Sequence, residues 1–112
     1  MKRIEAIIRP EKASAVCAAL EKAGHSEVTL SQVAGHGDQK GWVHHVRGAS
    51  YTENLLNRTR VEVVAKDEDA ETIIKAIRDA ALTGEAGDGK IFVHDMANAI
   101  RIRTNESGIA AL

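Results

Sequence analysis

Residues 2–9, KRIEAIIR, alternate charged and apolar before turning mostly apolar, a pattern that predicts a strand buried on at least one face. Pro10 closes that strand and suits the opening of a helix, where its missing N–H falls among donors left unpaired anyway. From Glu11 to Lys22 the apolar residues Ala13, Val16, Cys17 and Leu20 keep helical spacing, and Gly24 supplies the stop. VTLSQVAGHG, from Val28, predicts a second strand ending in glycines. From Gly37 to about Leu55 neither period is sustained, although Trp42 and Tyr51 lie there; so long an unpatterned stretch in a small chain predicts a functional loop. RTRVEVVAK, residues 58–66, predicts a third strand. Asp67, Glu68 and Asp69 then set negative charge where a helix N-terminus favours it, and Ile73, Ile74, Ile77, Ala80 and Ala81 form one apolar helical face. KIFVHD predicts a fourth strand, and AIRIRT a last extended piece before a polar tail. The order predicts a single α+β domain over residues 1–112, a ferredoxin-like βαββαβ unit with a long loop between its second and third strands.

Composition changes this picture in four ways. The aromatic residues are Trp42, Tyr51 and Phe92, so the core must be built from Val, Ile, Leu and Ala. Such a thin core makes an oligomer a reasonable expectation, because partner subunits bury what one chain cannot. Fifteen Lys and Arg against sixteen Asp and Glu give a net charge of −1, which provides no broad field for nucleic acid. The single Cys17 has no internal disulfide partner, so a reducing cytoplasm is the expected compartment. No apolar run approaches the roughly 18 residues of a membrane span, and MKRIEAIIRP is too short in apolar length for a signal peptide; direct membrane insertion is not expected.

The stretch TGEAGDGKIFV, residues 83–93, carries the most suggestive chemistry. Gly84 to Lys90 has the spacing G-x-x-x-x-G-K, the first part of a P-loop. A working P-loop follows a strand, opens a helix and ends in Ser or Thr. Here a helix precedes, a strand follows, and Ile91 stands where the hydroxyl belongs. Nucleotide hydrolysis by that motif is excluded; phosphate binding is not. Closely spaced glycines let consecutive N–H groups form an anion-binding nest, and Lys90 adds a point charge. Arg101 and Arg103, alternating around Ile102 in the expected strand, would project both guanidinium groups on one face, a suitable pair for phosphate oxygens. The same residues also fit a tight turn followed by a solvated charged edge, and spacing does not choose between the two.

The stretch T-G-x-x-G-D-G-K-I-F-V, with IRIRT, the terminal AL, the opening IEAIIRP, GHGDQKG and RGASY, closely resembles the PII signal-transduction proteins from Met1 to Leu112. The resemblance implies a ferredoxin-like homotrimer that binds ATP or ADP in clefts between subunits, and 2-oxoglutarate together with Mg-ATP. It also implies a regulator of nitrogen metabolism rather than an enzyme. The long loop, about residues 37–55, would be the family's T-loop, which grips a target such as an ammonium channel, a metabolic enzyme or another transporter. Residue by residue, the resemblance assigns nucleotide binding to Gly35, Gly37, Asp38, Val64, Thr83, Gly87, Asp88, Gly89 and Lys90, with Arg101 and Arg103 reaching in from a neighbouring subunit. It assigns 2-oxoglutarate binding to Gln39, Lys40, Gly41 and Arg58, with the Gln39 side-chain oxygen as a Mg²⁺ ligand, and it implies a Glu62–Lys90 ion pair.

Four departures from the family pattern matter. Arg58 stands for the lysine that meets the distal carboxylate of 2-oxoglutarate; it either substitutes for that lysine or alters the site. Asp38 replaces a frequent arginine, and a carboxylate beside phosphates is repulsive unless it faces solvent or a metal. Val46 and Ser50 change the flanks of Tyr51, the uridylylation position in many members, which is otherwise a partner contact. His36, His44 and His45 are solvated loop residues or, if gathered, metal or pH-sensing groups. These departures leave open a PII-like adenylate-binding regulator that answers to another small anion or a metal instead of 2-oxoglutarate.

Overall fold

The computed structural model describes residues 1–36 and 55–112 in full, together with the backbone of 43–46 and 49–52. Strand β1 (Lys2–Ile8) leads through a 3-10 turn at Pro10–Lys12 into helix α1 (Ala13–Lys22) and then β2 (Thr29–His36). Two short strands, β3 (Val43–Val46) and β4 (Ala49–Thr52), precede the long β5 (Leu55–Ala65). A second 3-10 turn at Asp67–Asp69 opens helix α2 (Ala70–Ala81), and β6 (Lys90–Asp95) follows. The four main strands form one antiparallel sheet in the order β2-β5-β1-β6, while β3 and β4 pair only with each other. That order and connectivity make the ferredoxin-like α+β fold that the sequence predicts.

Period-2 patterning explains the core. Ile4, Ala6 and Ile8 of β1 and Val61, Val63 and Ala65 of β5 face the helices and are buried. Against them α1 sets Val16 and Leu20, and α2 sets Ala70, Ile73, Ile77 and Ala81, at the three- and four-residue spacing of one helical face. Fully burying each large aliphatic side chain stabilises the fold by roughly 1.5–3 kcal/mol. Thr59 is the one buried polar side chain among the described residues. The helices cover only this face. Arg3, Glu5 and Ile7 of β1, with Arg58, Arg60, Glu62 and Val64 of β5, lie on the other. No helix among the described residues is long and apolar enough to cross a membrane.

Two expectations need correction. The stretch after Gly37 is not without regular structure, since β3 and β4 pair in register from Val43↔Thr52 to Val46↔Ala49. A four-residue strand offers only two positions per face, too few to show an alternating pattern. Leu55 also belongs to β5, which starts three residues earlier than the sequence suggests. The second correction concerns AIRIRT. Instead of a strand, the chain reverses after Ile100, which makes a single bridge to Ser107. The Arg101 amide donates to the Glu106 carbonyl at 2.8 Å and the Asn105 amide to the Arg101 carbonyl at 2.8 Å. Asn105, at φ 61°, supplies the left-handed residue that closes the turn. Alternation alone does not make a strand where the backbone turns back on itself.

Candidate functional site

The segment from Thr83 to Gly89 joins α2 to β6 without a helix or strand of its own. Gly84, Gly87 and Gly89 take φ values of +88°, +99° and +102°. Gly89 is also sterically fixed: a Cβ built there would sit 1.7 Å from the Ile7 carbonyl oxygen. The close approach of this turn to β1 therefore admits no side chain.

One carboxylate ties the segment together. Asp88 accepts hydrogen bonds from the Thr83 amide and the Gly84 amide, both at 2.9 Å, and from the Thr83 hydroxyl. Arg9, at the end of β1, donates its Nε to the same carboxylate at 3.3 Å and its Nη2 to the Ala86 carbonyl at 2.8 Å. The Thr83 hydroxyl, then the Thr83 amide and the remaining donors, hold the Asp88 carboxyl well below the usual carboxylate range. Because Asp88 gathers donors inward, the neighbouring amides are left over. Among the described residues no protein acceptor takes the N–H groups of Ala86 and Gly87. Consecutive unpaired amides on a glycine turn are the chemistry of an anion nest.

This turn forms one wall of a groove of about 560 Å³ lined by Ile7, Gly35, His36, Leu56, Arg58, Ala86, Gly87, Gly89, Lys90 and Phe92. Three distant segments meet there: the end of β2, the start of β5 and the glycine turn. Pairing produces the meeting. Gly35 lies opposite Leu56, His36 opposite Leu55, and Lys90 opposite Ile7 on the central strand. Two cations, Arg58 and Lys90, face the groove, and Lys90 has no ion-pair partner among the described residues. At Gly35 an added Cβ would meet only ordinary contacts, 3.7 Å to Arg58 Cγ and 4.0 Å to the Leu56 carbonyl, so nothing among the described residues requires glycine there.

Of the residues that the resemblance singles out, Gly35, Arg58, Gly87, Gly89 and Lys90 line this groove. Thr83 and the Asp88 carboxylate bond to each other rather than projecting into it. Val64 lies elsewhere, beside Glu27, Thr29, Glu62, Ala111 and Leu112 in a separate hollow of about 350 Å³. Arg101 belongs with that end, because its Nη2 donates to the Leu112 carbonyl at 3.0 Å and its Nη1 lies 3.5 Å from Glu106. Arg103 is exposed in the turn, so the two guanidinium groups do not share a strand face. Glu62 pairs with Arg60 at 3.2 Å, not with Lys90. Gly37, Asp38, Gln39, Lys40 and Gly41 lie outside the described residues. Tyr51 lies on β4 opposite His44 in the register, and the side chains of both lie outside the description. Sequence reasoning passed over Arg9; a basic residue just before Pro10 was the available signal, without spacing to tie it to Asp88.

Comparison with known proteins shows the family. The family model described as nitrogen regulatory protein P-II matches residues 1–106. The chain is similar to a protein named nitrogen regulatory protein P-II from Rhizobium meliloti (strain 1021), 49% identical over the whole of both chains. It is 46% identical to nitrogen regulatory protein P-II 2 of Methanothermobacter thermautotrophicus, covering all of this chain and 97% of that one. A red-algal relative, nitrogen regulatory protein P-II of Porphyra purpurea, is 43% identical over the full length of both.

Proposed function

The chain belongs to the nitrogen regulatory protein P-II family, a family of signal transducers rather than enzymes, and on that premise we propose that it is a cytoplasmic adenylate sensor. The observation that carries this is the groove, where the unpaired amides of Ala86 and Gly87, Lys90 and Arg58 meet the base of the segment from Gly37 to Asn54. The amides and Lys90 take the phosphates of ATP or ADP. Arg58 offers two donors to a carboxylate and takes the distal end of 2-oxoglutarate. Mg²⁺ neutralises the ATP phosphates and uses the Gln39 side-chain oxygen as a ligand, a hard donor that suits it. Lys40 and Gly41 contribute to the 2-oxoglutarate site, and Gly37 and Asp38 to the nucleotide site.

One chain holds two half-sites. Arg58 and Val64 are roughly 20 Å apart along β5, and Arg101 and Leu112 accompany Val64. A cyclic, head-to-tail assembly brings the Val64 end of one subunit to the Arg58 end of the next, closing each site between two chains. The open sheet face supports such packing, as do the exposed Phe92, Ile100 and Ile102. A homotrimer gives three such clefts, with Arg101 and Arg103 reaching phosphates from the neighbouring subunit.

Signalling follows from the position of the groove. His36 and Leu55, the two stems of the intervening segment, pair directly at its edge. A ligand there shifts the segment by the difference in its affinity for the segment's conformations. The segment then fits or rejects a target protein, a transporter or an enzyme of nitrogen metabolism, with Tyr51 as a partner contact or a modification site. Calorimetric titration with ATP and ADP, and of ATP with Mg²⁺ and saturating 2-oxoglutarate, tests this proposal. Tighter ATP binding with 2-oxoglutarate supports the full reading. Nucleotide binding indifferent to 2-oxoglutarate replaces that effector with another small anion or a metal, and no nucleotide binding overturns the proposal.

A further inference from the structure

Arg9 is the one described cation joined to the glycine turn by hydrogen bonds, and the adenylate reading assigns it nothing. Its guanidinium is mostly enclosed, with 15% of the side chain exposed, and it spans two acceptors, the Asp88 carboxylate at 3.3 Å and the Ala86 carbonyl at 2.8 Å. Those two residues flank Gly87, whose amide has no protein acceptor among the described residues. The Thr83 and Gly84 donors around Asp88 are neutral, so they orient the carboxylate without cancelling its charge. Arg9 supplies the opposite charge. Lys90, the neighbouring cation on β6, faces the groove instead.

We propose that Arg9 is a positioning residue for phosphate recognition, which holds the Ala86 carbonyl, and with it the Gly87 amide of the same planar peptide, and cancels the Asp88 charge beside the incoming anion. The inference rests on the adenylate reading above and deepens it. Loss of the guanidinium leaves an uncompensated carboxylate close to the phosphates, and the repulsion grows with the charge of the ligand. A purely structural role would weaken every ligand alike. The two therefore differ in how the effect depends on phosphate number.

The test is calorimetry of ATP, ADP and adenosine on the full chain, comparing the natural protein with Arg9→Met, Arg9→Lys and the double variant Arg9→Met/Asp88→Asn. In Arg9→Met, ATP binding is expected to weaken roughly ten-fold, because the Asp88 charge is left uncompensated beside the phosphates, with ADP affected less and adenosine unchanged. Arg9→Lys keeps the charge and recovers most of the affinity. Adding Asp88→Asn to Arg9→Met recovers part of it, because the repelling carboxylate is gone. Equal losses for all three ligands, or no loss for ATP, would overturn the role of Arg9 while leaving the nucleotide site intact. If the natural protein binds none of the three, the adenylate reading fails first, and the inference with it. Arg9→Lys keeps the test open should Arg9→Met fold poorly.

Discussion

Along β5, Val61, Val63 and Ala65 point into a face sealed by two helices, while Arg58, Arg60 and Glu62 point from the same strand into an uncovered one. The sealed face is aliphatic, and its neighbours are fixed by size and period. The uncovered face carries charge, a glycine at Gly35 that no contact among the described residues requires, and a groove bounded by unpaired amides. One face answers to folding, and the other to something the chain does not itself supply. Substitutions on the two sides should therefore separate stability from binding.

The largest effect belongs to the sealed face. Ile77→Ala removes a fully buried side chain between α2 and the sheet and should cost about 2–5 kcal/mol, seen as a lower midpoint in chemical denaturation. Nucleotide affinity of the folded fraction should not change. Gly89→Ala crosses the boundary between the two faces. Its Cβ collides with the Ile7 carbonyl at a φ that side chains avoid, so about 1–3 kcal/mol of stability should be lost along with nucleotide binding.

Asp88→Asn should have a smaller effect with a distinct pH dependence. The folded carboxyl titrates below its ordinary 3.8, so its contribution is complete above that value and is lost as pH falls through the depressed folded pKa. The variant should be less stable than the natural protein at neutral pH and converge with it only in strong acid, as followed by thermal melts across pH. Gly35→Ala should leave the melting curve within about 0.5 kcal/mol of the natural one, as expected for a site with room. It should nevertheless weaken nucleotide binding, and unchanged binding would remove Gly35 from the site.

The sealed face was the legible part of the sequence. Ile73, Ile77 and Ala81 repeat at helical spacing, and β1 and β5 alternate, because one buried face imposes one period. The glycine turn was legible too, since few other stretches need closely spaced glycines. Pairings across long stretches of chain were not. Nothing in the spacing ties Arg9 to Asp88, 79 residues apart, or moves Glu62 from Lys90 to Arg60. Arg101 and Arg103 misled for a related reason. Their alternation around Ile102 fits a strand, but the backbone there turns back on itself and leaves no ladder to join. The resemblance implied that Arg101 and Arg103 reach in from a neighbouring subunit, and the fold adds that Val64 lies at a different hollow from Arg58 and Lys90.

The central claim is that phosphates bind at the amides of the glycine turn. Amide NMR shifts of Ala86, Gly87, Asp88 and Gly89, followed during titration with ADP, test it most directly. The account predicts that these four move with saturation and that buried amides such as those of Ile73 and Ile77 stay in place. Saturable ADP binding that leaves the turn amides unmoved would contradict it and put the nucleotide elsewhere on the molecule.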